Sequence, residues 1–152
     1  MFTVELLSMK SDDKIEAELV AILGPAKYYI DTPVSENDEH SYWFPTIGDS
    51  MTDGTERSIP NRSFVLARWL RLNSVKDVPL NRPIVIIIHY SSEQFCLLKS
   101  VAAVHEESTD KEICLRSYNS RCDDLWVPLQ YVKFIFVVEK VRLPNGIEFM
   151  PA

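Results

Sequence analysis

The segment Pro83-Ile84-Val85-Ile86-Ile87-Ile88-His89-Tyr90 constrains the fold of this chain more than any other. From Ile84 to Ile88 every side chain is apolar and branched at Cβ. Such side chains are stiff at χ1 and suit a pleated surface better than a helix. A run this short, with no polar face, reads as a strand buried on both sides. It needs neighbours along both edges and apolar cover on both faces, so the rest of the chain must supply a sheet.

Candidate partners follow from the same reasoning. Ser91-Ser92-Glu93 is a polar connection, and residues 94–104 read as the return strand of a hairpin. Residues 41–47 form a short aromatic strand candidate broken by Pro45, and residues 63–72, 112–118, 126–129 and 132–142 complete the set. The expectation is a mainly β chain, with a compact, irregular, antiparallel domain over residues 41–152. Cys96 and Cys114 fall inside apolar strand candidates and are expected to be small core residues. With Cys122 they make an odd number without a Cys-x-x-Cys pair, and a zinc site from Cys114, Cys122 and His105 fits no common structural spacing. No metal or cofactor is expected.

Residues 1–40 read differently. An apolar stretch over 2–7 suits an edge strand. Ser11 with Asp12 and Asp13 then suits a helix N-terminus. Ile15, Leu19, Ile22 and Leu23 recur at helical spacing, and Gly24-Pro25 supplies the stop. From there to His40 the chain is polar and acidic, as in a linker. This is a short helical arm, without the second packed helix of a DNA-reading module. Lys plus Arg number 16 against 22 Asp plus Glu, a net charge of −6 over 152 residues. That balance argues against sequence-independent nucleic-acid binding, which needs clustered cations. Arg68, Arg71, Lys76 and Arg82 are too dispersed for such a cluster and suit a solvated strand edge. No apolar run approaches the roughly 20 residues that span a bilayer, and the N-terminus lacks a basic region of the signal-peptide kind. A soluble cytoplasmic protein without membrane contact is expected.

The segment that carries chemistry is Thr46-Ile47-Gly48-Asp49-Ser50-Met51. A serine after Gly-Asp at the end of a strand can sit on a tight turn, hydroxyl outward, with neighbouring N–H groups facing a developing oxyanion. A serine hydroxyl is a weak nucleophile at neutral pH and needs a base. His40, His89 and His105 are candidates, though no acid is placed by spacing to orient any of them. The other candidate is Lys99, which interrupts the apolar strand Phe95-Cys96-Leu97-Leu98-Lys99 and shares a face with Phe95 and Leu97. An ammonium packed against apolar groups loses solvation, and a neutral amine can accept a serine's proton. Against this stands a plainer pair of readings, in which Gly-Asp-Ser is a turn and Lys99 ends a strand and reaches for water.

The order Gly48-Asp49-Ser50-Met51, Ile59-Pro60, Phe64-Val65-Leu66-Ala67, Leu98-Lys99-Ser100-Val101 and Leu115-Arg116-Ser117-Tyr118-Asn119-Ser120, followed by Val127-Pro128 and residues 137–141, resembles the LexA/UmuD/phage-repressor family of self-cleaving regulators. The resemblance covers about residues 42–143. It implies a β domain of the LexA/signal-peptidase type, β-clip-like, that forms a homodimer. It also implies a Ser-Lys dyad with Ser50 as nucleophile, Lys99 as general base, and the N–H groups of Ser50 and Met51 as the oxyanion hole. Members of that family cut one Ala-Gly or Cys-Gly bond in their own N-terminal segment when DNA damage presents a RecA filament. This either inactivates a repressor or activates a mutagenesis factor.

Three features depart from the family pattern. Pro60 is followed by Asn61-Arg62-Ser63 where the family has Gly-Asp, and residues 68–82 are longer than usual, implying an inserted loop. No Ala-Gly or Cys-Gly precedes Ser50; the nearest equivalent is Leu23-Gly24, followed by Pro25, and Gly24 also reads as a helix C-cap. The rival to a self-cleaving peptidase is therefore a catalytically silent dimerisation module of a phage-type repressor. A membrane signal peptidase sharing the Ser-Lys arrangement is disfavoured for want of an anchor. Trp69, Trp126, Tyr42 and Phe134 are candidates for a dimer surface, although most such rings are core.

Overall fold

The computed structural model describes residues 41–70, 77–106 and 111–151. The predicted strand, helix and acidic linker of residues 1–40 lie outside the described residues, as does part of the 68–82 loop. Among the described residues there are eight strands, all paired antiparallel in one sheet, and no α-helix. They are β1 (Ser41–Pro45), β2 (Phe64–Leu70), β3 (Pro83–Tyr90), β4 (Glu93–Glu106), β5 (Lys111–Arg116), β6 (Leu125–Pro128), β7 (Val132–Arg142) and β8 (Glu148–Phe149). The order across the sheet is β1-β2-β7-β3-β4-β5-β6, with β8 paired to β7. A 3₁₀ turn over Leu129–Tyr131 links β6 to β7.

β3 lies near the middle, between β4 and β7. Its alternation sends Val85 and Ile87 to one side, against Phe134, Phe136 and Val138 of β7. Ile84, Ile86 and Ile88 go to the other, against Val101, Ile113, Leu115 and Ile135. All five are almost wholly buried, as the absence of a polar face demanded. The first of these two clusters also gathers Phe44, Met51, Ile59 and Val65, so the chain around Ser50 is built onto one face of the β3–β7 pair.

β4 is long because it serves two partners in turn. Residues 93–100 pair with β3, and residues 100–106 pair with β5, with an irregularity between Val101 and Ala103. Among the described strands, the stretch from Glu93 to Lys99 is therefore paired along one edge only. The β3–β4 connection is tighter than a polar loop. Ser91 and Ser92 form a two-residue turn with φ of 53° and 65°, the mirror-image turn whose twist suits a hairpin.

One sequence expectation needs correction, and others gain detail. Cys114 is buried, but Cys96 is exposed rather than a core residue, because the first half of β4 lacks a second neighbouring strand. Tyr42, Trp69 and Phe134 are core residues, and only Trp126, 48% exposed on the edge strand β6, remains a surface aromatic of those four. Of the dispersed basic residues, Arg68 is exposed and pairs with Glu139, Arg82 donates to the Val138 carbonyl, and Arg71 and Lys76 lie outside the described residues. β8, two residues long, has no periodicity that a sequence reading can detect. It is brought back to β7 by a turn in which Gly146 adopts φ 91° and Leu143 N–H donates to the Ile147 carbonyl.

The hairpin turn yields a stability prediction. Serine has no intrinsic preference for positive φ, whereas Asn-Gly does. The double substitution Ser91→Asn with Ser92→Gly is expected to raise the unfolding free energy by about 1 kcal/mol, read as a higher urea midpoint at unchanged slope. An unchanged or lowered midpoint would contradict the turn geometry.

Candidate active site

β1 stops at Pro45, which has no N–H to offer a ladder. The next residue, Thr46, is fastened to the start of β2. Its N–H donates to the Ser63 carbonyl at 2.9 Å, its hydroxyl accepts from Ser63 N–H at 3.0 Å, and its carbonyl accepts from Arg62 N–H at 3.1 Å. Gly48, at φ 89°, then reverses the chain, and its N–H donates to Asn61 Oδ1 at 2.9 Å. A side chain there would meet no obstacle, so glycine is required by the dihedral rather than by space. Asn61 and Arg62 stand where the resemblance led one to expect Gly-Asp. Arg62 takes φ 66°, a left-handed conformation that glycine adopts more readily.

Ser50 and Met51 are the two central residues of the turn closed by Thr52 N–H on the Asp49 carbonyl at 3.1 Å. The Met51 side chain is buried, and its carbonyl accepts from Ile59 N–H. The Ser50 carbonyl accepts from Asn119 N–H at 2.9 Å, and Asn119 Nδ2 reaches the Asp49 carbonyl at 3.4 Å. With the carbonyls engaged behind the turn, the Ser50 and Met51 N–H groups have no hydrogen-bond partner among the described residues. Two adjacent, unengaged donors beside a hydroxyl are what an oxyanion site needs.

Lys99 comes from the opposite wall. The register pairs it with Ile84 and pairs Leu97 with Ile86, so Lys99 does share a side with Leu97. Its ammonium donates to Ser117 Oγ at 2.7 Å. Ser100 pairs with Arg116, the last residue of β5, so Ser117 lies one step along, opposite Lys99, and is itself buried. Ser117 and Asn119 therefore form a strap: one end holds Lys99, the other holds the backbone of Ser50. Between them Tyr118 packs on the core and carries the Arg57 guanidinium 4.2 Å from its ring centroid.

Ser50, Met51 and Lys99 line one cavity of about 280 Å³. Thr46, Ile47 and Gly48 form its lip, Cys96, Leu97 and Leu98 its β4 wall, and Ile59, Val65 and Val85 belong to the core beneath. Neither His89 nor His105 lines it, and His40 lies outside the described residues, as do Leu23 and Gly24. Among the described residues, lysine is thus the basic side chain that the fold brings to the serine's cavity. The hydrogen-bond partner of Lys99 is Ser117; none joins it to Ser50 Oγ. Although Cys96 is exposed as a residue, desolvation against the apolar wall pushes its thiol up, to about 11. It is protonated at neutral pH and no rival to the serine.

The stretch 115–120 belongs to the family resemblance, but the sequence does not mark Ser117 and Asn119 as site residues. Ser117 stands just past the end of a strand, and its partner is 18 positions away. Asn119 is linked to Asp49 over 70 positions. No local pattern reports such pairings. Compared with known proteins, the chain matches no family model, no curated protein and no solved structure.

Asp53 stiffens the loop that follows the turn. Its carboxylate accepts from Thr55 N–H and hydroxyl, Arg57 Nε and Ser58 Oγ. The Thr55 hydroxyl above all, then Arg57 and Ser58, holds this carboxyl well below the usual carboxylate range. A carboxyl depressed in the fold adds stability above its ordinary value near 3.8, and that contribution drains away as pH falls below it. Asp53→Asn is accordingly expected to lower the urea midpoint more at pH 7 than at pH 3. Equal losses at both pH values would contradict the assigned role of the charge.

Proposed function

We propose that this chain is a Ser-Lys peptidase domain, similar to the LexA/UmuD/phage-repressor regulators, that cuts a peptide bond in its own N-terminal segment. The observation that carries the proposal is the shared cavity: Ser50 from the β1–β2 connection and Lys99 from β4 both line it, and the Ser50 and Met51 N–H groups have no partner among the described residues. The antiparallel sheet supports the same reading at the level of fold, the finer LexA/signal-peptidase-type description being part of the proposal.

In this mechanism Ser50 Oγ attacks the carbonyl carbon of the scissile bond and passes its proton to the neutral amine of Lys99. The tetrahedral oxyanion is held by the Ser50 and Met51 N–H groups. Collapse breaks the C–N bond, and the Lys99 ammonium returns the proton to the leaving amine, which leaves an ester on Ser50. Water then attacks that ester, Lys99 again taking and returning a proton, and the carboxylic acid departs. Ser117 orients the amine throughout: a neutral lysine can donate one N–H to Ser117 Oγ while its lone pair faces Ser50. Leu23-Gly24 is the proposed bond. A cytoplasmic homodimer, activation by a RecA filament, and a role in transcriptional or SOS regulation without direct DNA contact belong to the same proposal.

One observation favours the rival, a catalytically silent dimerisation module: the recorded partner of Lys99 is Ser117 rather than Ser50. Catalytic hydrogen bonds are often long before substrate arrives, so this geometry suits both readings and the chemistry must decide.

Intact-mass analysis of protein incubated between pH 7 and pH 10 separates them, because raising pH favours neutral amines without any activator. The expected result is two fragments that accumulate faster as pH rises, with masses placing the cut after Leu23, and that are absent from Ser50→Ala and Lys99→Ala. Ser117→Ala should slow cleavage about tenfold to a hundredfold, with Ser117→Thr restoring it. Fragments persisting in Ser50→Ala, or an unchanged wild-type mass at every pH, would contradict the peptidase reading.

A further inference from the structure

The cavity is larger than a cut after a small residue requires. An engineered, enclosed protein cavity of roughly 150 Å³ accommodates benzene, and this cleft, partly open to solvent, offers about 280 Å³. An alanine methyl placed in it would leave most of the lining without contacts, and the lost dispersion is a cost that a larger occupant avoids. The lining says what kind of occupant. Phe44, Met51, Ile59, Val85 and Leu98 are apolar, no acidic residue borders the space among the described residues, and the charged residue on its wall is the proposed base, Lys99. At the mouth, Ile47 is 91% exposed although its turn is firmly held through Thr46 and Gly48.

The approach to the cavity suits an extended peptide. Residues 93–99 of β4 pair with β3 alone among the described strands, which leaves main-chain donors and acceptors along the wall that ends at Lys99. A peptide lying there is held through its backbone, and alternate side chains point into whatever pocket lies beneath.

We infer that the cavity selects a large apolar side chain, of leucine or methionine size, on the carbonyl side of the bond that Ser50 attacks, and so departs from the small residue that the family resemblance implies. The inference rests on reading Ser50 as the nucleophile. It defines the substrate class as a peptide with a leucine-sized residue before the cut, a description that Leu23-Gly24 meets and an Ala-Gly bond does not.

Binding to the full-length Ser50→Ala protein tests this without chemistry. Acetylated hexapeptides identical except for Leu, Met, Ala or Asp before a common glycine are titrated calorimetrically. The Leu and Met peptides are expected to bind at least about tenfold more tightly than the Ala peptide, as several buried methylenes would give, and the Asp peptide not at all. Adding Ile47→Asp, a change at an exposed position that the fold tolerates, should abolish the preference. Ala binding as tightly as Leu, no binding by any peptide, or a preference that survives Ile47→Asp would overturn the inference. A Leu preference in a protein whose wild type cuts nothing would overturn the peptidase reading and keep the pocket. Cutting of the Ala peptide in preference to the Leu peptide would do the reverse.

Discussion

The burial of β3 on both faces is the constraint on which the rest of the sheet depends. Five consecutive branched apolar residues leave water on neither side, and the chain satisfies them with β7 along one edge, β4 along the other, and two separate apolar clusters above and below. Truncating any one of these side chains to alanine would cost about 2–5 kcal/mol, a large share of the 5–15 kcal/mol by which domains are stable. The site inherits its geometry from this arrangement. β4 is held against β3, which fixes Lys99, and the face of β3 and β7 that carries Val85, Ile87 and Phe136 is the one onto which Met51 and Ile59 pack. Nucleophile and base candidates are thus carried by different elements, the β1–β2 connection and β4, built on the same sheet.

A short strap also ties the two halves together. Within three residues, Ser117 holds the Lys99 ammonium and Asn119 holds the Ser50 carbonyl, while Tyr118 seals against the core and is capped by Arg57. Engaging the Ser50 and Asp49 carbonyls from behind has a second consequence. Among the described residues, the Ser50 and Met51 N–H groups are left without a partner beside the cavity that Ser50 and Met51 line. Preorganised donors of this kind need no reorganisation when charge develops, which is the largest single source of rate enhancement in acyl transfer.

Much of the fold is legible in the residues, and what escapes is physically explicable. The strands at 83–90 and 132–142 have the boundaries that their apolar runs suggest, because burial on both faces leaves a strong local trace. Lys99 is legible as an interruption in such a run, and Ser50 as a serine on a glycine turn. Cys96 misleads because an apolar run reports strand formation, not whether a second neighbour covers the strand. Tyr42, Trp69 and Phe134 lie in the core, as most such rings do, and only tertiary packing decides that Trp126 is the one of the four left at the surface. β8 is too short to show a period. Ser117 and Asn119 matter through partners far away in the chain, and the role of such residues is invisible until the sheet brings β5 beside β4.

The account's central claim is that Ser50 is made nucleophilic by Lys99 across one cavity. Labelling with a fluorophosphonate, located by peptide mass analysis, tests it most directly, since the reagent reports an activated serine and requires neither a known substrate nor an activator. The account predicts a covalent adduct on Ser50, formed faster as pH rises and absent from Lys99→Ala. An adduct spread over exposed serines, or one on Ser50 that is indifferent to the loss of Lys99, would contradict it.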